Sequence, residues 1–239
     1  MKAQDIIILH GWNLSGSHFT PLAGILRQKG YRVFTPDLPG FGDEQPPKVP
    51  WHISDYAEFL KEYIRKHDIQ NPILIAHSFG GRVALQFTQL YPDVPKKLII
   101  TGTPGFSPVP RRKMNFFLVL AKVGGMIFML PGLKVFEDFA RKVLYRLAGA
   151  REFYRAEGAM RQTFKNVVTD DLTIAMRSVR VPCLLVWGEL DTIVPVKVAE
   201  KMHDTIPNAT LHIIPTMNHD VPFKHAKVFV SHVWNFLQQ

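Results

Sequence analysis

Cysteine is almost absent from this chain, since Cys183 is the one cysteine among 239 residues. A single thiol excludes an internal disulfide and favours a reducing compartment. The N-terminal stretch MKAQDIIILHGW also lacks the long apolar segment and the small-residue cleavage site of a secretory signal. These absences favour a cytoplasmic protein whose core is held by packing alone.

Sequence motifs for metals and nucleotides are missing as well. The chain has no H-E-x-x-H, no G-x-x-x-x-G-K-[ST] and no G-x-G-x-x-G. We therefore expect neither a metal ion nor a cofactor. Nucleic acid is not an expected partner, because no nucleic-acid-binding motif accompanies the basic residues of the chain.

Acidic residues are scarce in one internal segment. The net charge is +9, and residues 104–180 hold 14 Lys and Arg against 6 Asp and Glu. The remaining residues hold 15 against 14, so they are nearly neutral. A solvated helix surface is the simplest explanation of the basic segment. We favour the alternative that it forms a basic rim, which attracts an acidic carrier protein or an anionic lipid surface.

Short apolar runs alternate with amphipathic stretches along most of the chain. Runs that are apolar on both faces are typical of parallel strands covered by helices. The pattern predicts strands at 5–9, 31–35, 73–76, 98–101, 183–187 and 211–214. It predicts helices at 17–29, 54–66, 80–91, 196–206 and 222–237, with Ser54 as a helix N-cap. This alternation predicts an α/β fold with a doubly wound, mostly parallel sheet.

The alternation stops after Thr101 and resumes at Val181. The intervening residues favour helices, among them 136–147 and 152–164, and contain no convincing strand. We therefore predict a helical cap at 104–180, inserted into a core formed by 1–103 and 181–239.

One segment of this predicted cap, residues 114–133, is strongly apolar. We expect it to wall the substrate pocket, with Phe117 and Met126 among the lining residues, because methionines suit an adaptable surface. A transmembrane helix is the competing interpretation. Lys122 and Pro131 within the segment weaken that interpretation.

The sequence A-H-S-F-G-G at 76–81 lies where a predicted strand gives way to a helix. It is close to G-x-S-x-G, with Ala76 in place of the first glycine. That motif places a serine nucleophile on a sharp turn, with small residues allowing neighbouring backbone to come close. A serine that only caps the helix is the plain alternative. The strand before and the helix after Ser78 favour the nucleophile.

A serine nucleophile needs a base and an acid that orients the base. In this architecture the order along the chain is nucleophile, acid, base. Asp191 and His219 follow the strands predicted at 183–187 and 211–214, and they fit that order. Glu189, two positions from Asp191, is a competing acid. His77 beside the serine is expected to point into the fold in a structural role.

Acyl transfer also needs two N–H donors for the negative charge that develops on the substrate oxygen. The N–H of Phe79, directly after the serine, is the first candidate. The N–H of Trp12, in the loop after the first strand, is the second. The Trp12 indole is also expected to line the pocket.

Five stretches together resemble the α/β-hydrolase fold family. They are H-G-W at 10–12, D-L-P-G-F-G at 37–42, H-S-F-G-G at 77–81, G-E-L-D-T-I-V-P at 188–195 and N-H-D at 218–220. The pattern is most similar to the capped serine carboxylesterases, a group that includes the pimeloyl-carrier-protein methyl esterases. Compared with that family, the chain begins almost at the His-Gly strand. The usual first two strands are then expected to be absent, which leaves about six.

The resemblance implies a serine hydrolase that cleaves a small carboxylic ester, a thioester or a lactone through an acyl-enzyme. Relatives that hydrolyse carbon–carbon bonds also use serine, but they often carry asparagine at the position of His77. A carbon–carbon hydrolase is therefore the alternative enzyme. A ligand receptor of the same fold with little turnover is the third possibility, and a complete set of Ser78, His219 and Asp191 argues against it.

Overall fold

A computed structural model describes residues 3–106 and 158–239. Several predictions therefore fall outside the described residues, namely the pocket residues Phe117 and Met126, the apolar segment 114–133 and the helix at 136–147. Within the described ranges, none of the helices is both long enough and apolar enough to cross a membrane.

The chain divides into two compact units. One comprises residues 1–46, 52–106 and 171–239, and the other comprises 47–51 and 107–170. Within the described part of the second unit, Trp51 forms two hydrogen bonds. Its N–H donates to Thr163 Oγ1 (2.8 Å), and its carbonyl accepts from Asn166 Nδ2 (3.1 Å). The cap at 104–180 stays a prediction.

The first unit contains a six-stranded sheet in the order β2-β1-β3-β4-β5-β6, and every pair of neighbouring strands is parallel. The strands are β1 Asp5–Leu9, β2 Arg32–Phe34, β3 Ile73–His77, β4 Lys97–Thr101, β5 Cys183–Gly188 and β6 Ala209–Ile214. The predicted number of strands and their parallel arrangement are confirmed.

Burial explains why these strands could be recognised. Every residue of β1, β3, β4 and β5 is buried, and the residues inside each strand are apolar on both faces. The edge strand β6 is half exposed, and the exposed residues Thr210 and His212 interrupt its apolar pattern. Strand β4 begins one residue before its predicted start. Lys97 enters the sheet because its ammonium group donates to the carbonyl of Phe236 (2.8 Å).

Helices of the first unit cover both faces of its sheet, whereas the helix Gly158–Thr169 belongs to the second unit. The described helices are α1 Thr20–Gln28, α2 Ile53–Lys66, α3 Phe79–Leu90, α4 Gly158–Thr169, α5 Thr173–Ser178, α6 Val196–Thr205, α7 Val221–Lys224 and α8 Ala226–Gln238, with a 3₁₀ turn at Gly16–Phe19. Residues of α1 and α8 share one apolar cluster with Ile8, Ile75 and Val186 of the sheet. Alternation along each strand sends Ile7 and Leu74, which are also buried, to the opposite face. The doubly wound arrangement is confirmed.

The start of α2 differs from the prediction. The N-cap is His52, not Ser54, and α2 begins at Ile53. His52 has the extended backbone of a cap residue (φ −102°, ψ 172°), and its N–H donates to the carboxylate of Asp55 (2.7 Å). The carboxylate in the first turn therefore stabilises the helix start.

The C-terminal helix also differs, because residues 222–237 form two helices instead of one. Helix α7 ends at Lys224, and His225 leaves helical geometry (φ −122°, ψ 46°) before α8 begins at Ala226. An apolar periodicity that runs across both helices hides this break.

The close approach of α3 to the sheet generates a first prediction. A Cβ atom on Gly80 would lie 2.5 Å from the Leu9 carbonyl oxygen, whereas a Cβ on Gly24 meets nothing within 4 Å. We expect Gly80→Ala to lower the free energy of unfolding by about 1–3 kcal/mol. Gly24→Ala, in the middle of α1, should raise it by about 0.5–1 kcal/mol. Urea unfolding of both variants measures these changes, and equal effects would contradict the packing argument.

Candidate active site

Ser78 occupies the strained turn between β3 and α3. Its backbone has φ 52° and ψ −113°, a conformation that costs a residue with a side chain about 1–3 kcal/mol. The turn is held by two hydrogen bonds, from the N–H of Ser78 to the carbonyl of Thr101 (2.9 Å) and from the N–H of Gly81 to the carbonyl of Ser78 (3.1 Å). The half-buried serine therefore stands at the carboxyl edge of the sheet.

Two glycines after the serine let α3 lie directly on the strand ends. Gly80 packs on the carbonyls of Leu9 and His10, and a Cβ atom on Gly81 would lie 1.9 Å from Oγ1 of Thr103. Larger residues at either position would push α3 away from β1 and β4. This explains why the sequence has two glycines directly after Ser78 and Phe79.

His219 and Asp191 are brought together by the ends of β5 and β6. Nδ1–H of His219 donates to Oδ2 of Asp191 (2.7 Å). The other oxygen of Asp191, Oδ1, accepts the N–H groups of Ile193 (2.9 Å) and Val194 (2.8 Å). The Asp191 side chain is 1% exposed and that of His219 is 13% exposed. Because Nδ1 carries the proton, Nε2 of His219 is the atom free to accept one.

The competing acids lie elsewhere. Oε2 of Glu189 accepts the N–H of Thr216 (3.0 Å), and Glu189 is exposed. Asp220, the neighbour of His219, forms an ion pair with Lys224 (2.8 Å). Only Asp191, of these three carboxylates, has a hydrogen bond to His219 among the described residues.

Ser78 and His219 lie at the same edge of the sheet. His77, the residue before Ser78, has its ring centroid 4.6 Å from that of His219. Among the described residues, no hydrogen bond joins Ser78 Oγ to His219. Hydrogen bonds of this kind are often long without substrate and shorten when it binds.

Aromatic side chains surround the two candidate oxyanion donors. The rings of Trp12 and Phe79 lie 5.2 Å apart, and Phe41 and Tyr56 contact them at centroid distances of 4.8 Å to Trp12 and 4.9 Å to Phe79. Phe79 is the first residue of α3, so its N–H has no partner within the helix. The loop after β1 and the start of α3 thus meet beside Ser78.

His10 is a functional candidate that the sequence analysis did not single out. Its Nε2 accepts the N–H of Leu38 (2.8 Å), so Nδ1 carries the proton and donates to the carbonyl of Gly11 (2.8 Å). His10 therefore links the loop that contains Trp12 to the D-L-P-G-F-G loop. The sequence contains both motifs, H-G-W and D-L-P-G-F-G, but it does not indicate that they are in contact.

Asp37 fixes the D-L-P-G-F-G loop from the other side. Its carboxylate oxygens accept the N–H groups of Gly16 (2.6 Å) and Asp43 (2.9 Å). Gly42 has φ +57°, and a Cβ atom there would lie 2.0 Å from Oδ2 of Asp37. A glycine is required so that this carboxylate can reach the backbone.

Across residues 3–106 and 158–239, no group of three or more His, Cys, Asp and Glu side chains could hold a metal ion.

Comparison with known proteins identifies the family. A family model described as alpha/beta hydrolase fold matches residues 6–226. The chain belongs to the α/β-hydrolase fold family.

Two relatives and one solved structure show which kinds of protein this α/β-hydrolase is similar to. The chain is 27% identical to the pimeloyl-[acyl-carrier protein] methyl ester esterase of Shewanella woodyi, over 100% of this chain and 95% of that protein. It is 26% identical to the 2-hydroxy-6-oxononadienedioate/2-hydroxy-6-oxononatrienedioate hydrolase of Cupriavidus pinatubonensis, over 98% and 87%. An esterase from Exiguobacterium antarcticum shares the fold, with a TM-score of 0.76 and 18% identity, over 100% of this chain and 94% of that one.

Two histidines at the site of this α/β-hydrolase are buried in the neutral form. Burial lowers the pKa of His10 below its usual 6.5. Burial also lowers the pKa of His77 well below 6.5, and the nearby His219 and His10 add to that effect. Below pH 6.5 the unfolded chain therefore binds protons that the folded chain does not bind.

A second prediction follows from these pKa shifts. The stability that the neutral histidines contribute is present above pH 6.5 and is lost as the pH falls from there toward their folded-state pKa values. We expect the free energy of unfolding to fall between pH 7 and pH 5, by up to about 1.4 kcal/mol per pH unit for each histidine. His10→Gln should reduce this slope in urea titrations. An unchanged slope in His10→Gln would contradict the prediction.

Proposed function

We propose that this protein is a serine hydrolase that cleaves carboxylic esters, with Ser78 as nucleophile, His219 as base and Asp191 as the acid that orients the base. The observation that carries the proposal is the buried bond between His219 Nδ1 and Asp191 Oδ2 (2.7 Å), beside a serine held on a strained turn. This bond leaves Nε2 of His219 to take a proton, as a serine nucleophile requires.

Acylation begins when Ser78 Oγ attacks the carbonyl carbon of the ester. The Oγ–H proton passes to Nε2 of His219, and the π-electron pair of the carbonyl moves onto its oxygen. The tetrahedral intermediate then collapses and breaks the bond to the alcohol oxygen, which receives the proton from His219. The acyl group stays bonded to Ser78 Oγ.

Deacylation repeats these steps with water. The water oxygen bonds to the acyl carbon while its proton passes to Nε2 of His219. The bond between Ser78 Oγ and the acyl carbon breaks, and Oγ recovers the proton from His219. The carboxylic acid leaves, and the enzyme returns to its starting state. Asp191 keeps its carboxylate charge throughout and stabilises the imidazolium form of His219.

The N–H groups of Phe79 and Trp12 are the proposed donors to the substrate oxygen. The N–H of Phe79 belongs to the first turn of α3, where the helix dipole favours negative charge. Trp12 lies beside Phe79 and is linked through Gly11 to His10. Donors fixed before the reaction stabilise the developing charge without reorganisation.

The substrate is proposed to be a small-molecule ester. The relative from Shewanella is named for a methyl ester carried on an acyl-carrier protein, and the basic segment 104–180 supports an anionic substrate or an acidic carrier. Arg111, Arg112 and Lys113 begin that segment, and Phe117 and Met126 are the proposed pocket residues. All five lie outside the described residues.

Hydrolysis of a carbon–carbon bond is the second candidate function. It is favoured by the relative named for 2-hydroxy-6-oxononadienedioate, a compound that contains carboxylates and a ketone but no ester bond. The histidine at position 77 favours ester hydrolysis instead, since carbon–carbon hydrolases of this family often carry asparagine there. A receptor with little turnover would not need the bond between His219 and Asp191.

Removal of the nucleophile tests the proposed function directly. Wild-type enzyme should release nitrophenol from short-chain nitrophenyl esters, and Ser78→Ala should reduce kcat by roughly 10⁴- to 10⁶-fold because no acyl-enzyme can form. Stopped-flow absorbance and mass spectrometry of the acylated protein measure the two effects. Near-wild-type turnover by pure Ser78→Ala protein would overturn the assignment.

A matched pair of variants tests whether Asp191 or Glu189 is the acid that orients His219. Asp191→Asn should reduce kcat about 10⁴-fold, because an amide at this position favours the wrong tautomer of His219. Glu189→Gln, two residues away, should leave kcat within a few fold, because Glu189 bonds to Thr216. Steady-state kinetics on one ester compares the two variants. A larger loss for Glu189→Gln would show that the acid is misassigned.

A further inference from the structure

His77 is more deeply buried than its position beside the nucleophile requires. Its side chain ends strand β3 and is 2% exposed. Phe19 and Phe223 contact its ring at centroid distances of 6.1 Å and 5.5 Å, and His219 lies at 4.6 Å. Among the described residues, Nδ1 of His77 has no hydrogen-bond partner. A phenyl ring would fill an apolar site of this kind without leaving a nitrogen unsatisfied.

Two glycines create the space in which this ring meets the proposed base. A Cβ atom on Gly11, after β1, would lie 3.1 Å from Cδ2 of His77. A Cβ atom on Gly102, after β4, would lie 2.7 Å from Cε1 of His219 and 3.4 Å from Cε1 of His77. Both rings thus share the space that Gly102 leaves open. Cε1 of His77, the ring carbon bonded to Nδ1, faces this space.

Burial, and to a smaller extent the charges around it, lowers the pKa of His77 and keeps the ring neutral. The ionisable groups that lower this pKa further are His219 from the loop after β6 and His10 from the end of β1, while the backbone of Thr101 in β4 opposes them. Two adjacent imidazoles do not both carry a proton easily. His219 is hydrogen-bonded to the carboxylate of Asp191, which can balance the charge that His219 takes up during proton transfer.

We propose that His77 is a positioning residue that acts through His219: its neutral imidazole stabilises the imidazolium that His219 becomes during each proton transfer. The neutral ring presents a dipole and a nitrogen lone pair beside the positive charge, in a site closed to water. This inference rests on the proposed function, in which His219 is the base.

Replacement of His77 by phenylalanine separates this role from packing. His77→Phe keeps a ring of similar size and removes both nitrogens, whereas His77→Asn keeps a polar atom close to the position of Nδ1. We expect His77→Phe to fold with a melting temperature no lower than that of the wild type. Its kcat should fall roughly three- to thirtyfold with little change in KM, since the lost interaction is made only while His219 carries the transient charge.

The pH profile of kcat/KM distinguishes the two roles, because a residue that only packs against His219 would leave this profile unchanged. A less stabilised imidazolium forms only at lower pH, so the acidic limb of kcat/KM should shift to lower pH in His77→Phe although turnover is slower. His77→Asn should restore most of both parameters. An unchanged limb and kcat in folded His77→Phe, or equal losses in both variants, would overturn the inference.

The same assays separate this inference from the proposed function. If Ser78→Ala keeps full activity, the proposed function fails, and the role of His77 fails with it. If Ser78→Ala is inactive and His77→Phe has wild-type kcat and pH profile, only the role of His77 is wrong.

Discussion

The close contact between α3 and the ends of β1 and β4 is the constraint on which the rest of the site depends. Ser78 keeps its costly positive φ because Gly80 lies against the carbonyls of Leu9 and His10, and Gly81 lies against Thr103. A helix farther from the sheet would let the turn relax. The same contact sets where the first N–H groups of α3 point and brings Phe79 beside Trp12.

Much of the fold could be predicted, because the strands of a covered parallel sheet are apolar on both faces. Strands β1, β3, β4 and β5 each contain a continuous apolar run, with polar residues only at strand ends, and their predicted limits differ from the observed ones by no more than one residue. The errors lie where local contacts decide. His52 caps α2 through Asp55, and the bend at His225 interrupts a regular apolar periodicity. Neither the cap nor the bend can be predicted from amino-acid composition.

The site was predictable to the extent that topology controls it. Parallel strands end at one edge of the sheet, so polar residues after β3, β5 and β6 were expected to be neighbours. The sequence favoured Asp191 as the acid but left Glu189, two positions away, as a competitor. That choice depends on Gly188, where a Cβ atom would lie 2.4 Å from the carbonyl of Met217, so that the two loops come into contact. The bond from Leu38 to His10 depends in the same way on a contact between distant loops.

Residues 77 and 78 are neighbours that each carry an unfavourable local feature. A positive φ at Ser78 costs about 1–3 kcal/mol, and an unsatisfied buried nitrogen in His77 costs a similar amount, about 1–3 kcal/mol. An apolar ring at 77 and a glycine at 78 would remove both costs with little change in the fold. Sequences that depart from the most stable local choice usually do so at functional sites. Adjacent departures, on the one turn that joins the central strand β3 to α3, therefore support a chemical role for both side chains.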